Sequence, residues 1–259
     1  MTAAGPLAAA FAPLTRDPAR SGLFVDFDGT LSDIVDDPAT ARARDGAVDA
    51  LTRLAASFGR VAVVSGRPVG FLAPMFPDEV TLAGLYGLET RLDGAATEHP
   101  LASSWREAVR DVAADAIARG PAGMRVESKG LSLTLHYRGA PEIEHDVRAW
   151  AQQQAARSGL LLRGAKMSYE LHPPVDVDKG TTVIELSAGL TAVAYIGDDL
   201  GDLPAFDGLD ELATRGVDTI RVAVRSAELA PAVGDRSDVL LDGPAAVVEL
   251  IERLCPSPR

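Results

Sequence analysis

The chain has 259 residues, enough for one large domain or for a core domain with a smaller accessory domain. Apolar residues make up 47% of it and charged residues 24%, which is typical of a globular protein. The formal net charge of −12, from 25 basic and 37 acidic residues, argues against nucleic acid or an anionic membrane as the main partner. It also means that any phosphate site needs local positive charge.

Cysteine usage and hydropathy bear on the cellular compartment in which the protein is expected. Cys255 is the only cysteine, which excludes a disulfide framework and a cysteine-based metal site and favours the cytoplasm. No apolar run approaches the roughly 18–20 residues that a membrane span requires. The Ala-rich start has no basic region before it, so no secretory signal is expected. Residues 1–20 are interpreted as a loosely held leader or a first helical turn.

The first part of the chain alternates between strands and helices. Apolar residues predict a strand at 22–26, and apolar residues at helical spacing predict a helix at 45–58 that Gly59 ends. Further strands are predicted at 60–64 and 80–85. Strands and helices at this spacing are typical of a parallel sheet with crossover helices.

The middle of the chain has a different pattern. Residues 131–138 alternate strictly between apolar and polar side chains, as in a sheet with one solvated face. A polar helix is predicted at 141–158, and strands at 160–163 and 167–171. We interpret this block as a small open-faced α+β module inserted into the larger sheet at about 92–176.

The parallel pattern then resumes. A helix is predicted at 180–186, strands at 193–196, 221–224 and 239–241, and a last helix at 244–254.

The whole pattern predicts an α/β protein with a Rossmann-like, doubly wound parallel sheet as its core and an inserted small α+β cap domain. The core is predicted to comprise residues 1–91 and 177–259, and the cap residues 92–176.

A DFDGT segment at 26–30 closes the first predicted strand. Asp26 and Asp28 are two residues apart on extended backbone, so their side chains project to the same side. Like charges so close are costly without a cation beside them. Gly29 permits a sharp turn, and the Asp pair alone would also suit an ordinary turn. At the carboxyl end of a buried strand, the segment indicates a divalent metal that holds a phosphate.

Three further segments lie where predicted strands end or helices begin: Ser65-Gly66-Arg67, Asp178-Lys179-Gly180 and the GDDLGD run at 197–202. Carboxyl ends of strands in a doubly wound sheet converge on one crevice, where these segments would supply carboxylates, a hydroxyl, an Arg and a Lys. Taken singly, Ser65 or the Asp pair at 198–199 would suit a helix N-cap, and Lys179 a solvated surface.

In this order, the four segments resemble the signature motifs of the haloacid dehalogenase (HAD) superfamily of aspartate-based phosphohydrolases. Within its capped members, the chain most resembles the trehalose-6-phosphate phosphatase family. The residues that carry this likeness are the DFDGTLS run with Ile34, the GLYGLE run at 84–89, the VESK run at 126–129, His136-Tyr137-Arg138, Glu170, and the YIGDD run at 195–199 followed by Ala205-Phe206.

The resemblance implies a covalent route. Asp26 would attack phosphorus and form an aspartyl-phosphate, and Asp28 would protonate the leaving oxygen and later take a proton from water. Ser65 and Lys179 would offset charge on the transferring phosphoryl group. The resemblance further implies Mg²⁺ at metal-binding positions Asp26, Asp28, Asp198, Asp199 and Asp202, where Asp28 contributes its carbonyl and Asp202 acts through water or by orienting other groups.

The substrate implied is a phosphorylated disaccharide. Thr30, Gly66 and Arg67 are predicted to bind its phosphate end, although Arg67 would equally suit bracing of its loop. By the resemblance, a polar trio of Glu89, Lys129 and Glu170 grips the glucose unit that carries no phosphate.

The chain departs from the typical family pattern at Tyr86, where His is usual, at Leu171-His172-Pro173, at Val177 and in the 201–204 segment. These departures bear on the identity of the sugar more than on the reaction.

Two other functions are open. One is another capped sugar phosphatase, of the sucrose-phosphate or mannosyl-glycerate-phosphate type, or a broad metabolite-repair phosphatase. The other is a catalytically silent sugar-phosphate sensor on the same scaffold. Asp26, Asp28, Lys179 and Asp198 argue against a sensor, because a pure binder needs no nucleophile with its own proton donor.

Overall fold

The computed structural model describes residues 4–35, 37–165, 167–226 and 229–256. Its strands are β1 (Ser21–Val25), β2 (Arg60–Val64), β3 (Thr81–Gly84), β4 (Glu89–Leu92), β5 (Ala95–Glu98), β6 (Arg125–Ser128), β7 (Leu133–His136), β8 (Leu161–Ala165), β9 (Ser168–His172), β10 (Ala192–Gly197), β11 (Asp218–Val224) and β12 (Val239–Leu241). Its α-helices are α1 (Ala4–Ala10), α2 (Ala12–Arg16), α3 (Ala47–Ala55), α4 (Val69–Leu72), α5 (Arg106–Arg119), α6 (Glu144–Ser158), α7 (Lys179–Leu186), α8 (Leu203–Thr214), α9 (Pro231–Arg236) and α10 (Gly243–Leu254).

The described residues form two compact units. The larger unit takes its residues from Met1–Thr97 and Val177–Arg259, and the smaller unit from Glu98–Asp176. The predicted inserted module began at 92, but β4 and β5 join the sheet of the larger unit, so residues 92–97 belong there.

An eight-stranded sheet in the order β12-β11-β10-β1-β2-β3-β4-β5 is the centre of the larger unit. The strands from β12 to β3 are parallel, and β4 runs antiparallel to β3. Helices connect the parallel strands, as crossover connections require. The predicted α/β class with a parallel, Rossmann-like sheet is confirmed.

Helices cover this sheet on both faces, because successive strand residues point to opposite sides. In β1, Leu23 and Val25 lie in one apolar cluster, to which α2, α3, α4 and α10 contribute side chains. Phe24 lies in a second cluster, with side chains from α7, α8 and α9. The core therefore consists of two apolar layers with the sheet between them, which is the doubly wound arrangement.

The start of the chain is packed against the core. Phe11 and Leu14, at the junction of α1 and α2 and within α2, are buried in the first apolar cluster. Of the two interpretations of residues 1–20, the described part, residues 4–20, has the helical one and not the loosely held leader. These two side chains, three residues apart, share one helical face against the sheet. The residues around Phe11 and Leu14 are mostly alanines, so the sequence shows no clear alternation of apolar and polar residues there.

The smaller unit is an antiparallel sheet in the order β6-β7-β9-β8. Leu133 and Leu135 of β7 point to one face and pack with Val109 of α5 and Val147 of α6. The opposite face carries the polar residues of the alternating pattern, which confirms the predicted alternation. Ser132 and Thr134 on this face are buried, however, so the predicted solvated face is wrong at these positions. Of its elements, α5 and β6 were not predicted from the sequence.

Within the described part of the chain, every helix falls short of the length and apolar content needed to cross a membrane.

Candidate active site

The predicted motifs meet at the carboxyl ends of three neighbouring parallel strands. β1 lies between β10 and β2, with Val25 beside Ile196 on one side and Val63 on the other. Asp26 follows β1, and its backbone N–H donates to the Ile196 carbonyl at 2.9 Å. Asp198 follows β10 and Ser65 follows β2. The parallel register therefore brings residues that are 39 and 133 positions apart in sequence to one edge of the sheet.

Lys179 joins two of the motifs by ion pairs. Its Nζ lies 2.9 Å from Asp26 Oδ1 and 2.7 Å from Asp202 Oδ1. All three side chains are buried. Burial alone would lower the pKa of the Lys179 ammonium, but Asp202 and Asp26 raise it well above its ordinary value. Lys179 is therefore a fixed positive charge beside Asp26.

The beginning of α7 determines the place of Lys179. Asp178 is the N-cap residue, and its Oδ1 accepts hydrogen bonds from the backbone N–H groups of Gly180 and Thr181, both at 2.9 Å. Thr181 Oγ1 accepts in return from the Asp178 N–H at 3.0 Å, which completes a capping box. Lys179 is thus the first residue of a firmly started helix that points its side chain at Asp26.

Asp202 accepts hydrogen bonds from four donors. Lys179 and the Tyr195 hydroxyl each donate to Oδ1 at 2.7 Å. The backbone N–H groups of Asp198 and Asp199 donate to Oδ2 at 2.8 and 3.1 Å. Each carboxylate oxygen has about two acceptor positions, so these four donors use the capacity of Asp202. Its carboxylate therefore orients Lys179 and the loop that carries Asp198.

Carboxylate oxygens of Asp26, Asp198 and Asp202 lie within 4.8 Å of one another, and all three residues are buried. Lys179 is the cation seen to pair with two of them. Burial raises the pKa of the Asp26 carboxyl well above its ordinary value; Lys179 opposes this, and Asp202, Asp198 and Asp199 add to it. Oxygen donors crowded in this way fit a hard divalent cation, which would relieve the repulsion. This cluster can hold a metal ion.

Two residues of the DFDGT segment line the same place. Gly29 has a φ of +82°, and a Cβ added there would collide with the carboxylate of Asp198. Glycine is thus needed for both the turn and the close approach. Thr30 is fully buried, and its Oγ1 makes no hydrogen bond to any described residue.

The side chains of two predicted metal-binding residues, Asp199 and Asp28, are not part of this cluster. Asp199 Oδ1 accepts a hydrogen bond from the Gly201 N–H at 2.8 Å and caps the short 3₁₀ turn Leu200–Asp202. Both oxygens of Asp28 accept hydrogen bonds from Arg67, at 2.7 and 2.8 Å. Both side chains are therefore held by contacts within the protein, and the carboxylate of Asp28 is turned to Arg67.

The loop after β2 is fixed by backbone contacts. Ser65 is buried, and its Oγ accepts a hydrogen bond from the Arg67 N–H at 3.1 Å, which leaves its O–H hydrogen to donate. The Tyr86 N–H donates to the Ser65 carbonyl at 2.9 Å, from a backbone with a φ of +62°. A Cβ on Gly66 would come within 2.7 Å of the Tyr86 hydroxyl. Tyr86 thus packs directly on the loop.

The predicted sugar-contact trio is divided between the two units. Glu89 lies on β4 of the larger unit, where its Oε2 accepts a hydrogen bond from the Val69 N–H at 2.7 Å and caps α4. Lys129 and Glu170 lie in the smaller unit, with Lys129 Nζ 3.9 Å from Glu170 Oε1. Ser132 donates to the same Glu170 oxygen at 2.7 Å.

The contacts of some residues in the quoted motifs were not predicted from the sequence. Tyr195 reads as an ordinary buried strand residue, yet burial and Asp202 raise its pKa, so its hydroxyl stays protonated and donates to Asp202. His136 and Glu127 lie on adjacent strands of the smaller unit, with Nε2 and Oε2 2.8 Å apart. The strand register, unknown from the sequence, is the signal that would have paired them.

Comparison with known proteins identifies the family of this chain. A family model for trehalose-phosphatase matches residues 24–233. A trehalose-phosphate phosphatase of Mycobacterium avium (strain 104) is 37% identical over 254 residues, which cover 90% of this chain and 61% of that protein. A trehalose-phosphate phosphatase of Mycobacterium tuberculosis (strain ATCC 25618 / H37Rv) is 34% identical over 257 residues, or 93% of this chain and 62% of that one. The chain thus spans about three fifths of the length of these curated relatives.

Solved structures have the same fold. The C-terminal domain of a C. albicans trehalose-6-phosphate phosphatase superposes with a TM-score of 0.77 at 23% identity, covering 96% of both chains. A sugar phosphatase of HAD subclass IIB superposes with a TM-score of 0.55 at 13% identity, covering 90% of this chain and 98% of that one. The chain has the HAD fold, and it belongs to the trehalose-phosphatase family.

Proposed function

We propose that this protein hydrolyses trehalose 6-phosphate to trehalose and inorganic phosphate, a step of trehalose biosynthesis. The observation that supports this most is the buried contact of Lys179 with Asp26, beside Asp198, at the carboxyl edge of the sheet in a chain of this family. A nucleophile, a fixed cation and a metal-binding carboxylate are the groups that phosphoryl transfer needs in one place.

The proposed reaction has two steps. In the first, an Asp26 oxygen attacks phosphorus, the bond between phosphorus and the sugar oxygen breaks, and a protonated Asp28 gives its proton to that oxygen. In the second, water attacks the aspartyl-phosphate and passes a proton to Asp28, which releases phosphate and restores the Asp26 carboxylate. A sugar alkoxide is a poor leaving group, which gives a reason for a proton donor two residues from the nucleophile.

We propose Mg²⁺ as the metal, held by Asp26, the Asp28 carbonyl and Asp198. When bound, it would neutralise charge between the nucleophile and the phosphate. Asp202 would act by orientation, since its oxygens already accept four hydrogen bonds. Asp199 would support the loop as a cap.

The phosphoryl oxygens would be bound by the Ser65 and Thr30 hydroxyls, the Gly66 N–H and Lys179. The Ser65 hydrogen and the buried Thr30 hydroxyl are donors that fit this role. Lys179 would keep its charge throughout, because Asp202 remains its partner while Asp26 changes its bonding. The binding groups would thus stay in place as charge moves.

For the sugar, we propose that Lys129 and Glu170 bind hydroxyl groups of the glucose that carries no phosphate. Their contact with each other and the Ser132 hydrogen bond fix the direction of the Glu170 carboxylate, which directional hydroxyl recognition requires. We propose Glu89, on β4 of the larger unit, as a further hydroxyl-binding residue. We also propose a cytoplasmic location, supported by the single cysteine.

Phosphate release from a panel of sugar phosphates tests the proposal, with trehalose 6-phosphate and sucrose 6-phosphate side by side and with Mg²⁺ or EDTA present. We expect Mg²⁺-dependent release and the highest kcat/KM for trehalose 6-phosphate. A higher kcat/KM for sucrose 6-phosphate would overturn the proposed substrate. Absence of turnover with every ester, together with binding, would favour the sensor.

Variants separate the chemistry from recognition. Asp26→Asn should lower kcat by at least about 10³-fold while the fold is kept, because it removes the nucleophile alone.

Lys129→Ala should raise KM for the disaccharide phosphate and leave the KM for an aryl phosphate little affected. Equal losses on both substrates would contradict the sugar role of Lys129.

A further inference from the structure

Arg67 is anchored to Asp28 by two hydrogen bonds. Its Nε donates to Asp28 Oδ2 at 2.8 Å, and its Nη2 donates to Asp28 Oδ1 at 2.7 Å. A guanidinium that meets a carboxylate through two parallel hydrogen bonds fixes both its position and its plane. Arg67 is buried, whereas the Asp28 side chain is 42% exposed.

Two further contacts hold the guanidinium itself. Its Nη1 donates to the Pro38 carbonyl at 2.8 Å, and its carbon lies 4.5 Å from the centre of the Phe71 ring. Its three nitrogens thus each contact the protein, and an aromatic face supports the plane. Displacing Arg67 toward a phosphate would break these contacts, which favours a part in holding Asp28.

The pairing restricts what Asp28 can do. With both oxygens accepting from Arg67, the Asp28 carboxylate is an acceptor with a defined orientation, and each oxygen keeps a lone pair. The pairing therefore fixes the direction from which Asp28 can exchange a proton with a neighbouring group.

We propose, on the basis of the proposed function, that Arg67 is a positioning residue that holds Asp28 as the proton acceptor for the water that hydrolyses the aspartyl-phosphate. In that step the water oxygen bonds to phosphorus and the bond between phosphorus and Asp26 breaks. The water proton moves to Asp28, and Asp26 leaves as a carboxylate. Arg67 acts through the orientation of Asp28.

The test is pre-steady-state hydrolysis of p-nitrophenyl phosphate by wild type, Arg67→Met and Arg67→Lys. Nitrophenolate leaves without protonation, so formation of the aspartyl-phosphate needs no help from Asp28, whereas its hydrolysis does. For Arg67→Met we expect kcat to fall about 10²-fold. We also expect a burst of about one nitrophenolate per chain and accumulation of phosphorylated Asp26 in acid-quenched samples.

Arg67→Lys keeps the charge but cannot form the two parallel hydrogen bonds, so it should give an intermediate rate and burst. Arg44→Met is the matched control, because Arg44 pairs with Asp33 at 2.6 Å near the same segment and has no described contact with Asp28. This control should show wild-type kcat and no burst. Thermal unfolding of each variant checks that the variant is folded at the temperature of the rate measurements.

A fall in kcat for Arg67→Met without accumulated phosphoenzyme would overturn the proposal, as would the same fall in the Arg44→Met control. Unfolding of Arg67→Met would leave Arg67→Lys to decide, with wild-type rates there overturning it. If wild type cleaves p-nitrophenyl phosphate but not trehalose 6-phosphate, only the proposed substrate fails, and the Arg67 comparison still stands. Absence of turnover with both esters would overturn both proposals.

Discussion

Individual side chains at the edge of the sheet are held by contacts that leave them little freedom. Asp202 accepts four hydrogen bonds, Lys179 joins two carboxylates, and Gly29 allows the backbone to approach Asp198 where any side chain would collide. Each position therefore accepts a narrow range of residues, and the cost of a substitution can be measured as a change in the free energy of unfolding or in activity.

Gly29→Ala should destabilise the protein and weaken metal binding. The left-handed backbone costs an alanine about 1–2 kcal/mol, and the collision with Asp198 adds to this. Gly189→Ala is the matched control, because its φ is also +82° and nothing lies within 4 Å of the added Cβ. Urea unfolding followed by circular dichroism gives both free energies. An equal loss in the two variants would show that the collision with Asp198 has no cost.

Among the elements, helix beginnings and strand ends position the charged groups. α7 begins at Lys179 because Asp178 caps it, and the short turn Leu200–Asp202 begins at the Asp199 cap. These caps satisfy backbone N–H groups and at the same time fix the side chains that follow.

Asp178→Ala should lower the free energy of unfolding by about 1 kcal/mol and reduce kcat, since α7 would begin less firmly and Lys179 would be held less well. Asp242→Ala is the control. Asp242 is the N-cap residue of α10 but makes no capping hydrogen bond, and its pair with Arg225 is exposed. If both variants lose the same free energy and activity, the cap does not position Lys179.

The end of β9 carries a group whose protonation opposes folding. Burial and Arg163 lower the pKa of His172, against Glu170 and the Pro173 carbonyl, which raise it. Because the folded pKa is below the unfolded one, the unfolded chain binds more protons as pH falls through about 6.5. The free energy of unfolding should therefore decrease as pH falls from 7.5 toward the folded pKa of His172.

His172→Gln should make this dependence shallower, and the exposed His145→Gln serves as the control. Trp105 and Trp150, the only two tryptophans, both lie in the smaller unit, so their fluorescence during urea unfolding of the intact chain reports on that unit. An unchanged slope in His172→Gln would contradict the role of this histidine.

For the whole molecule, the distribution of charge matters more than its sum. The chain carries a net charge of −12, yet the anion it is proposed to bind meets a buried lysine and, with metal bound, a second cation. The carboxylates of the acidic cluster therefore repel one another in the metal-free chain and are attracted to a cation once it is bound.

Binding of Mg²⁺ should stabilise the fold. A concentration about 100 times Kd adds about 2.7 kcal/mol to the free energy of unfolding, because the ion binds only the folded cluster. Asp198→Asn should abolish this gain, and EDTA should reverse it in wild type. Asp207→Asn, an exposed carboxylate paired with Arg236, should keep the gain in thermal unfolding. A gain that survives in Asp198→Asn would place the metal elsewhere.

The sequence alone determined the α/β class, the two types of sheet and the positions of the site motifs. Parallel strands such as β2 read as continuous apolar runs because both faces are buried, and β7 alternates because one face is polar. The DFDGT, Ser65, Lys179 and Asp198 segments lie at the ends of such elements, and parallel strands bring their carboxyl ends to one edge. This is local information, carried by neighbouring residues.

The tertiary structure alone decided which side chains meet. The hydrogen bonds of Arg67 to Asp28 and of four donors, Tyr195 among them, to Asp202 join residues whose side-chain directions are fixed by packing. Burial of Phe11 and Leu14 and the cap that Glu89 places on α4 are of the same kind. Such contacts depend on register and on the relative depth of elements, which the spacing of residues along a chain does not encode.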